Sequence, residues 1–109
     1  MPRWTVEVTA KAEKEIRSLA HDLQARFLHV AEMLEELGPH RVGQPHVRHL
    51  RDKLWEIRLK GRDGIARAIY VAVTGRRLVV VRAFVKKTQK TPDREIELAL
   101  RRMKELRDG

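Results

Sequence analysis

The 109-residue sequence contains no cysteine. That absence excludes disulfide bracing, thiol catalysis and cysteine-based metal sites, and it fits a reducing compartment. Aromatic residues make up 5% of the chain and include a single tyrosine, so an exposed aromatic platform for stacking single-stranded bases is not expected. No apolar run approaches the roughly 20 residues that cross a bilayer, and the opening Met-Pro-Arg-Trp-Thr lacks a signal-peptide apolar core. The expectation is a cytoplasmic protein with no membrane contact. Walker-type loops, G-x-S-x-G elbows and dinucleotide fingerprints are missing as well, so no cofactor is expected. The length suits one domain, residues 1–109, with a modest core and no internal repeat.

Positive charge is what the chain has in excess, and it is unevenly placed. The totals are 24 Lys and Arg against 15 Asp and Glu, a net charge of +9. Residues 1–40 hold 5 basic against 7 acidic side chains, whereas residues 41–109 hold 19 against 8. An excess confined to one part of a small domain points to a polyanionic partner: nucleic acid, a ribosome surface or an acidic protein.

Most of that charge falls in Leu54 to Pro92, LWEIRLKGRDGIARAIYVAVTGRRLVVVRAFVKKTQKTP. Alternation places Trp55, Ile57 and Leu59 on one face of a first strand and Glu56 and Arg58 on the other. The run Ile65 to Val73 is apolar on both faces, as a central strand is, with Arg67 aligned with Ile65, Ile69 and Val71. The run Leu78 to Val85 places Arg82 in register with Val80 and Phe84. Gly61 to Gly64 and Thr74-Gly75-Arg76-Arg77 read as tight turns relying on positive φ at glycine. The three strands are then antiparallel neighbours on which Arg58, Arg67 and the lysines after Val85 converge.

Around this sheet, Trp4, Val6 and Val8 alternate as a short strand. Thr9 caps a helix over about Ala10 to Leu19, and a longer helix runs from Asp22 to about Leu37 with Leu23, Phe27, Val30, Leu34 and Leu37 inward, ended by Gly38-Pro39. Gly38 to Lys53 reads as a basic loop containing Arg48 and Arg51. Its His40, His46 and His49 have no helical i, i+4 pair and no carboxylate partner at ligand spacing, so no metal site is expected. His49 is a candidate proton-transfer group beside a phosphate. Thr91 at the cap, Pro92 and Asp93 start a last helix that continues to about Leu106, its apolar stripe Ile96, Ala99, Leu100 and Met103 and its remainder basic through Arg94, Arg101, Arg102, Lys104 and Arg107. The expected fold class is α+β: an antiparallel-rich sheet of about four strands, ordered β-α-α-β-β-β-α, with two N-terminal helices packed on it and a C-terminal helix.

Asp52, Glu56 and Asp63 are scattered among arginines and do not suggest a two-metal nuclease. What remains is catalysis by cations and proton donors. An RNA 2′-OH attacks its own 3′ phosphate once aligned, if charge on the phosphorane is stabilised and protons are moved. Arginine forks fit phosphate oxygens, and a lysine of lowered pKa donates a proton. DNA has no 2′-OH, so such a site suits RNA better.

The element order, together with LWEIR, R-A-I-Y and FVKKTQKTP before an E-I-x-x-A helix, resembles the RelE/ParE toxin superfamily, and within it the HigB-like, phage-derived branch. The resemblance covers nearly the whole chain. It implies a type II toxin: a metal-independent endoribonuclease that cleaves mRNA on the translating ribosome and is held inactive by an antitoxin, HigA-like with a helix-turn-helix. By motif, Arg58 and Arg67 correspond to basic phosphate-contacting positions, and Lys87 to a catalytic arginine or lysine. Lys86, Lys90, Arg82, Arg48 and Arg51 are the expected RNA contacts. The C-terminal tyrosine that serves as base in some RelE proteins has no counterpart, which leaves His49, Lys87 and Lys90 as candidates. Tyr70 reads as core. Two other readings stay open: a ParE-like gyrase inhibitor, in which the helix after Thr91 binds protein, and a non-catalytic RNA- or ribosome-binding module.

Overall fold

The structure, a computed structural model, describes residues 3–43, 45–62, 64–87 and 90–108, with the side chains of 107 and 108 apart. Asp63 of the expected turn, Thr88 and Gln89 of the lysine-rich stretch and the side chain of Arg107 lie outside the described residues. The strands are β1 (Thr5–Val8), β2 (Val47–Arg51), β3 (Leu54–Lys60), β4 (Ile65–Val73) and β5 (Arg77–Lys86), and the helices are α1 (Ala10–Arg17), α2 (His21–Leu37), α3 (Pro39–Val42) and α4 (Asp93–Asp108). They form one sheet in the order β1-β5-β4-β3-β2. β2 to β5 pair antiparallel, and β1 joins the β5 edge in parallel.

The α+β class is as expected, with one strand more. β2 lies inside the stretch read as a loop, because only Val47 of its five residues is fully buried and the strand occupies the sheet edge. A strand buried on one side over so short a length leaves little periodic signal.

Each face of the sheet is covered by different helices. Ile57, Leu59, Ala66, Ala68, Tyr70, Leu78, Val80 and Ala83 pack with Ala12 and Ile16 of α1 and with Leu23, Phe27, Val30 and Leu34 of α2. The Thr9 hydroxyl accepts a hydrogen bond from the Ala12 N–H at 3.1 Å, capping α1 as expected. Leu37, expected to face inward, is 42% exposed because α2 ends there. On the opposite face, Leu54, Ile69, Val71, Val79, Val81 and Phe84 pack with Ile96 and Ala99 of α4, joined by Leu100 and Met103. The α4 stripe is thus spent on the sheet.

Two local departures position the charged residues. A bulge in β5 pairs Tyr70 with Val80 but Ile69 with Arg82. The additional residue, Val81, reverses the alternation, so Val80 faces α1 and α2 while Arg82 faces α4 with Phe84. Arg82 and Val80 therefore do not share a face. At the β4–β5 turn Gly75 and Arg76 take φ of 81° and 57°, as a tight hairpin requires. The β3–β4 turn uses glycine for space instead: a Cβ on Gly61 would lie 2.6 Å from Asp22 Oδ2 and 2.8 Å from Leu23 Cδ2. That close approach lets Asp22 accept the Arg62 N–H at 2.6 Å, tying the start of α2 to the turn.

Candidate active site

Register brings several of the expected cations together. Arg48 opposes Glu56 across β2 and β3, and Arg58 opposes Arg67 across β3 and β4. Since Glu56 and Arg58 are two residues apart, all four lie on the face that α4 covers only in part. Here Pro45, Arg48, His49, Glu56, Arg58 and Arg67 line a pocket of about 410 Å³. A larger groove of about 610 Å³ lies under the far end of α4, lined by Val71, Val79, Met103 and Leu106 among others. It contains none of the expected site residues, several of which gather instead in the smaller, more polar pocket.

Within that pocket, exposure separates the arginines. Arg48 and Arg58 are exposed. Arg67 is only 1% exposed, and its Nη1 donates to Glu56 Oε1 and, at 2.6 Å, to Thr91 Oγ1. The Thr91 hydroxyl in turn donates to Glu56 Oε2 at 2.6 Å. Glu56 and Thr91 are each 2% exposed. A charge taken this far from water is tolerable only when paired and hydrogen-bonded, and the three side chains supply that to one another. Thr91 is therefore engaged with the sheet rather than capping α4. The Ile96 N–H bonds to the Pro92 carbonyl, so the first helical bond closes one residue later.

Lys86 completes the cationic group. It lies two residues beyond Phe84, the register partner of Arg67, and so shares that face. Partial burial lowers its pKa below the usual lysine value, and the charges of Arg67, Arg58 and Arg48 lower it further, against an opposing pull from Glu56. Lys87, given the catalytic place by motif, is an exposed residue one position past the end of β5. Lys90 is exposed and precedes Thr91. In the register Lys86 is on the face of the arginines.

The remaining expected residues stand apart from this group or at its border. His49 lies opposite Trp55 in the register, with ring centroids 4.9 Å apart, and borders the pocket from the sheet edge. Its Nε2 lies 2.8 Å from the Asp52 carbonyl, an acceptor that requires the proton on Nε2 and leaves the lone pair on Nδ1. Arg51 pairs with Asp93 at 3.3 Å. Arg82 is bound by Glu15 at 2.6 Å and by Glu95 at 2.7 Å, and its guanidinium carbon lies 5.6 Å from the Phe84 ring centre. Arg102, expected on the exposed side of the last helix, turns inward to Glu15 at 2.9 Å and to the Val81 carbonyl at 2.8 Å. The arginines set into the apolar strands thus have internal carboxylates as partners. Tyr70 lies on the opposite face in the core, and its hydroxyl pKa is pushed up by burial. Among the described residues no three of His, Cys, Asp and Glu come close enough together to hold a metal ion.

Glu56 and Thr91 are the site residues that the sequence alone did not reveal. Alternation placed Glu56 beside Arg58, but its pairing with Arg67 required the β3–β4 register. Thr91 carried the competing signature of a cap before Pro92 and Asp93.

A mixed, largely antiparallel sheet, with the two N-terminal helices on one face and the last helix on the other, is a RelE-like fold. The free E. coli toxin RelE, as an arginine-to-alanine mutant, superposes with a TM-score of 0.65 at 17% identity, over 92% of this chain and 97% of that one. The archaeal RelE of the RelE–RelB complex from Pyrococcus horikoshii OT3 gives 0.58 at 22% identity, over 78% and 96%. In sequence, the model of the family described as phage-derived protein Gp49-like matches residues 14–104. The chain belongs to that family. No curated protein matches it in sequence.

Proposed function

We propose that this protein is the toxin of a toxin–antitoxin pair and that it cleaves mRNA without a metal, in association with the ribosome. The observation that carries the reading is the meeting of Arg48, Arg58 and Lys86 on one open surface above the buried Arg67. Three cations on one face, two lining the pocket and the third feeling their charge, suit a phosphate that gains charge as it becomes a phosphorane. Arg48 and Arg58 hold its non-bridging oxygens, Arg67 neutralises the Glu56 carboxylate beneath them, and Lys86 donates a proton to the departing oxygen. His49, at the border of the pocket on the sheet edge, is the candidate base for the proton of the ribose 2′-OH. The new bond joins O2′ to phosphorus, the P–O5′ bond breaks, and the products are a 2′,3′-cyclic phosphate and a 5′-OH. The likeness to a RelE seen with RelB supports an antitoxin as the controlling partner.

Induction in cells with and without the neighbouring reading frame, with new RNA 5′ ends mapped during growth arrest, tests this. New ends inside reading frames, lost for folded Arg58→Ala and Lys86→Ala variants and suppressed by the neighbouring gene product, are expected. Arrest with unchanged RNA ends would overturn cleavage and turn the reading to gyrase inhibition. Salt-sensitive RNA binding without arrest would leave a binding module.

A further inference from the structure

The contact of Thr91 with the buried ion pair has a geometry that a helix cap does not need. Its hydroxyl both accepts from Arg67 Nη1 and donates to Glu56 Oε2, while the same Nη1 donates to Glu56 Oε1. The result is a closed three-member ring joining β3, β4 and the residue just before Pro92. Among side chains of this size only a hydroxyl can accept and donate at once.

Glu56 is the carboxylate in the pocket wall, and the cations around it are Arg67 of β4, Arg58 of β3, Arg48 of β2 and Lys86 of β5. Without the hydroxyl, Oε2 loses its donor in a buried setting, where an unsatisfied carboxylate oxygen is costly. The donors that remain nearby are the other nitrogens of Arg67 and, around them, the cations proposed to hold phosphate. A carboxylate that turned toward them would occupy the place of the phosphate and cancel its attraction.

We infer that Thr91 is a positioning residue that keeps the Glu56 carboxylate turned onto Arg67 and away from the phosphate-binding cations. The inference rests on the proposed function for its consequence in RNA cleavage, but the arrangement itself is measurable without any RNA. It predicts that Thr91→Ser, which retains the hydroxyl, keeps the pocket cationic, whereas Thr91→Val, matched in shape, does not.

The test measures Lys86 and the anion directly, on the whole chain. In the Thr91→Val variant the Lys86 pKa, followed by NMR at its Cε, should rise back toward the ordinary value. Its affinity for inorganic phosphate should fall by about ten- to a hundredfold, the scale of one redirected charge-assisted hydrogen bond. Thr91→Ser should match the wild type in both. In a Glu56→Gln background, Thr91→Val should change neither, since no carboxylate remains to turn. A folded Thr91→Val protein with unchanged Lys86 titration and phosphate affinity would overturn the proposal. So would a further effect of similar size in the Glu56→Gln background. Should Thr91→Val fail to fold, the wild type decides: a slowly exchanging Thr91 hydroxyl proton with an NOE to the Arg67 guanidinium is expected, and a rapidly exchanging one refutes the ring. Wild-type protein that shows the ring but cleaves no RNA would sink the proposed function and leave the Thr91 assignment standing.

Discussion

Arg58 and Arg67 are direct register partners across β3 and β4, yet one is exposed and the other is 1% exposed against Glu56. The same face of the sheet therefore carries one cation for solvent and one for the interior. This division determines which substitutions can report on function, since only the solvent-facing arginine can be removed without disturbing a buried charge.

Arg67→Ala should be destabilising by about 3–5 kcal/mol, because it strands a buried carboxylate. Arg58→Ala, at an exposed position, should stay within about 0.5 kcal/mol of the wild type. Urea unfolding of the two variants checks this. Equal midpoints would mean that the Glu56–Arg67 pair adds nothing to the fold. Lost activity in Arg67→Ala would mix folding with chemistry, which is why Arg58 and Lys86 are the better probes of the site.

A second ion-pair centre should give the fold an acid limit. Glu15 of α1 accepts from Arg82 of β5, from Arg102 of α4 and from the Ala83 N–H, so one carboxylate ties both covering layers to the sheet. Burial acts to raise its pKa, but Arg102, the Ala83 N–H and Arg82 outweigh burial and hold it below the ordinary glutamate value. A carboxyl with a lowered folded pKa contributes stability that is present above its unfolded pKa of about 4.3 and is lost as pH falls through the folded value. Stability measured by denaturant midpoint should therefore decline below about pH 4.5. Glu15→Gln should start lower at neutral pH and decline less steeply. An unchanged slope in that variant would assign the acid limit to other carboxylates.

How much of this was legible in the sequence depended on whether a contact is local. The faces of β3 and β4 followed from alternation, and the Thr9 cap from residues three apart. The β5 bulge did not, since Val79, Val80 and Val81 are identical neighbours that give no alternation to read. The ring joins Glu56 to Thr91 over 35 positions, and nothing near either residue marks the other. Arg102 was read as surface for the same reason: its partners are Glu15 and Val81, on other elements. Local signals also misdirected, since Thr-Pro-Asp is a good helix start and its threonine is used elsewhere. Motif order gives Lys87 the catalytic place, and alternation along β5 adds Lys86 on the face of the arginines.

Tyr70 supplies a control on the opposite face. Its hydroxyl is buried with no hydrogen-bond partner among the described residues, and burial pushes its pKa up, which makes it a poor proton acceptor at neutral pH. Replacing an unpartnered buried hydroxyl by hydrogen is expected to be neutral or stabilising, by up to about 1 kcal/mol. Tyr70→Phe should therefore retain the wild-type melting temperature or exceed it, with RNA cleavage unchanged. A loss of cleavage in a folded Tyr70→Phe protein would bring the face covered by α1 and α2 into the mechanism.

The salt dependence of RNA binding separates the cations by role. Each phosphate neutralised on a single strand contributes about −0.7 to the slope of log K against log salt. Arg48 and Arg58 are exposed and line the pocket, so Arg48→Ala and Arg58→Ala should each make the slope shallower by about that amount. Arg51 is paired with Asp93, and Arg51→Ala should leave the slope nearly unchanged, because its charge is already balanced within the protein. Binding of a non-cleavable single strand, titrated with potassium chloride, supplies the measurement. A slope that fell equally for all three would mean that the chain reads RNA through diffuse charge, and that the pocket has no privileged part in holding phosphate.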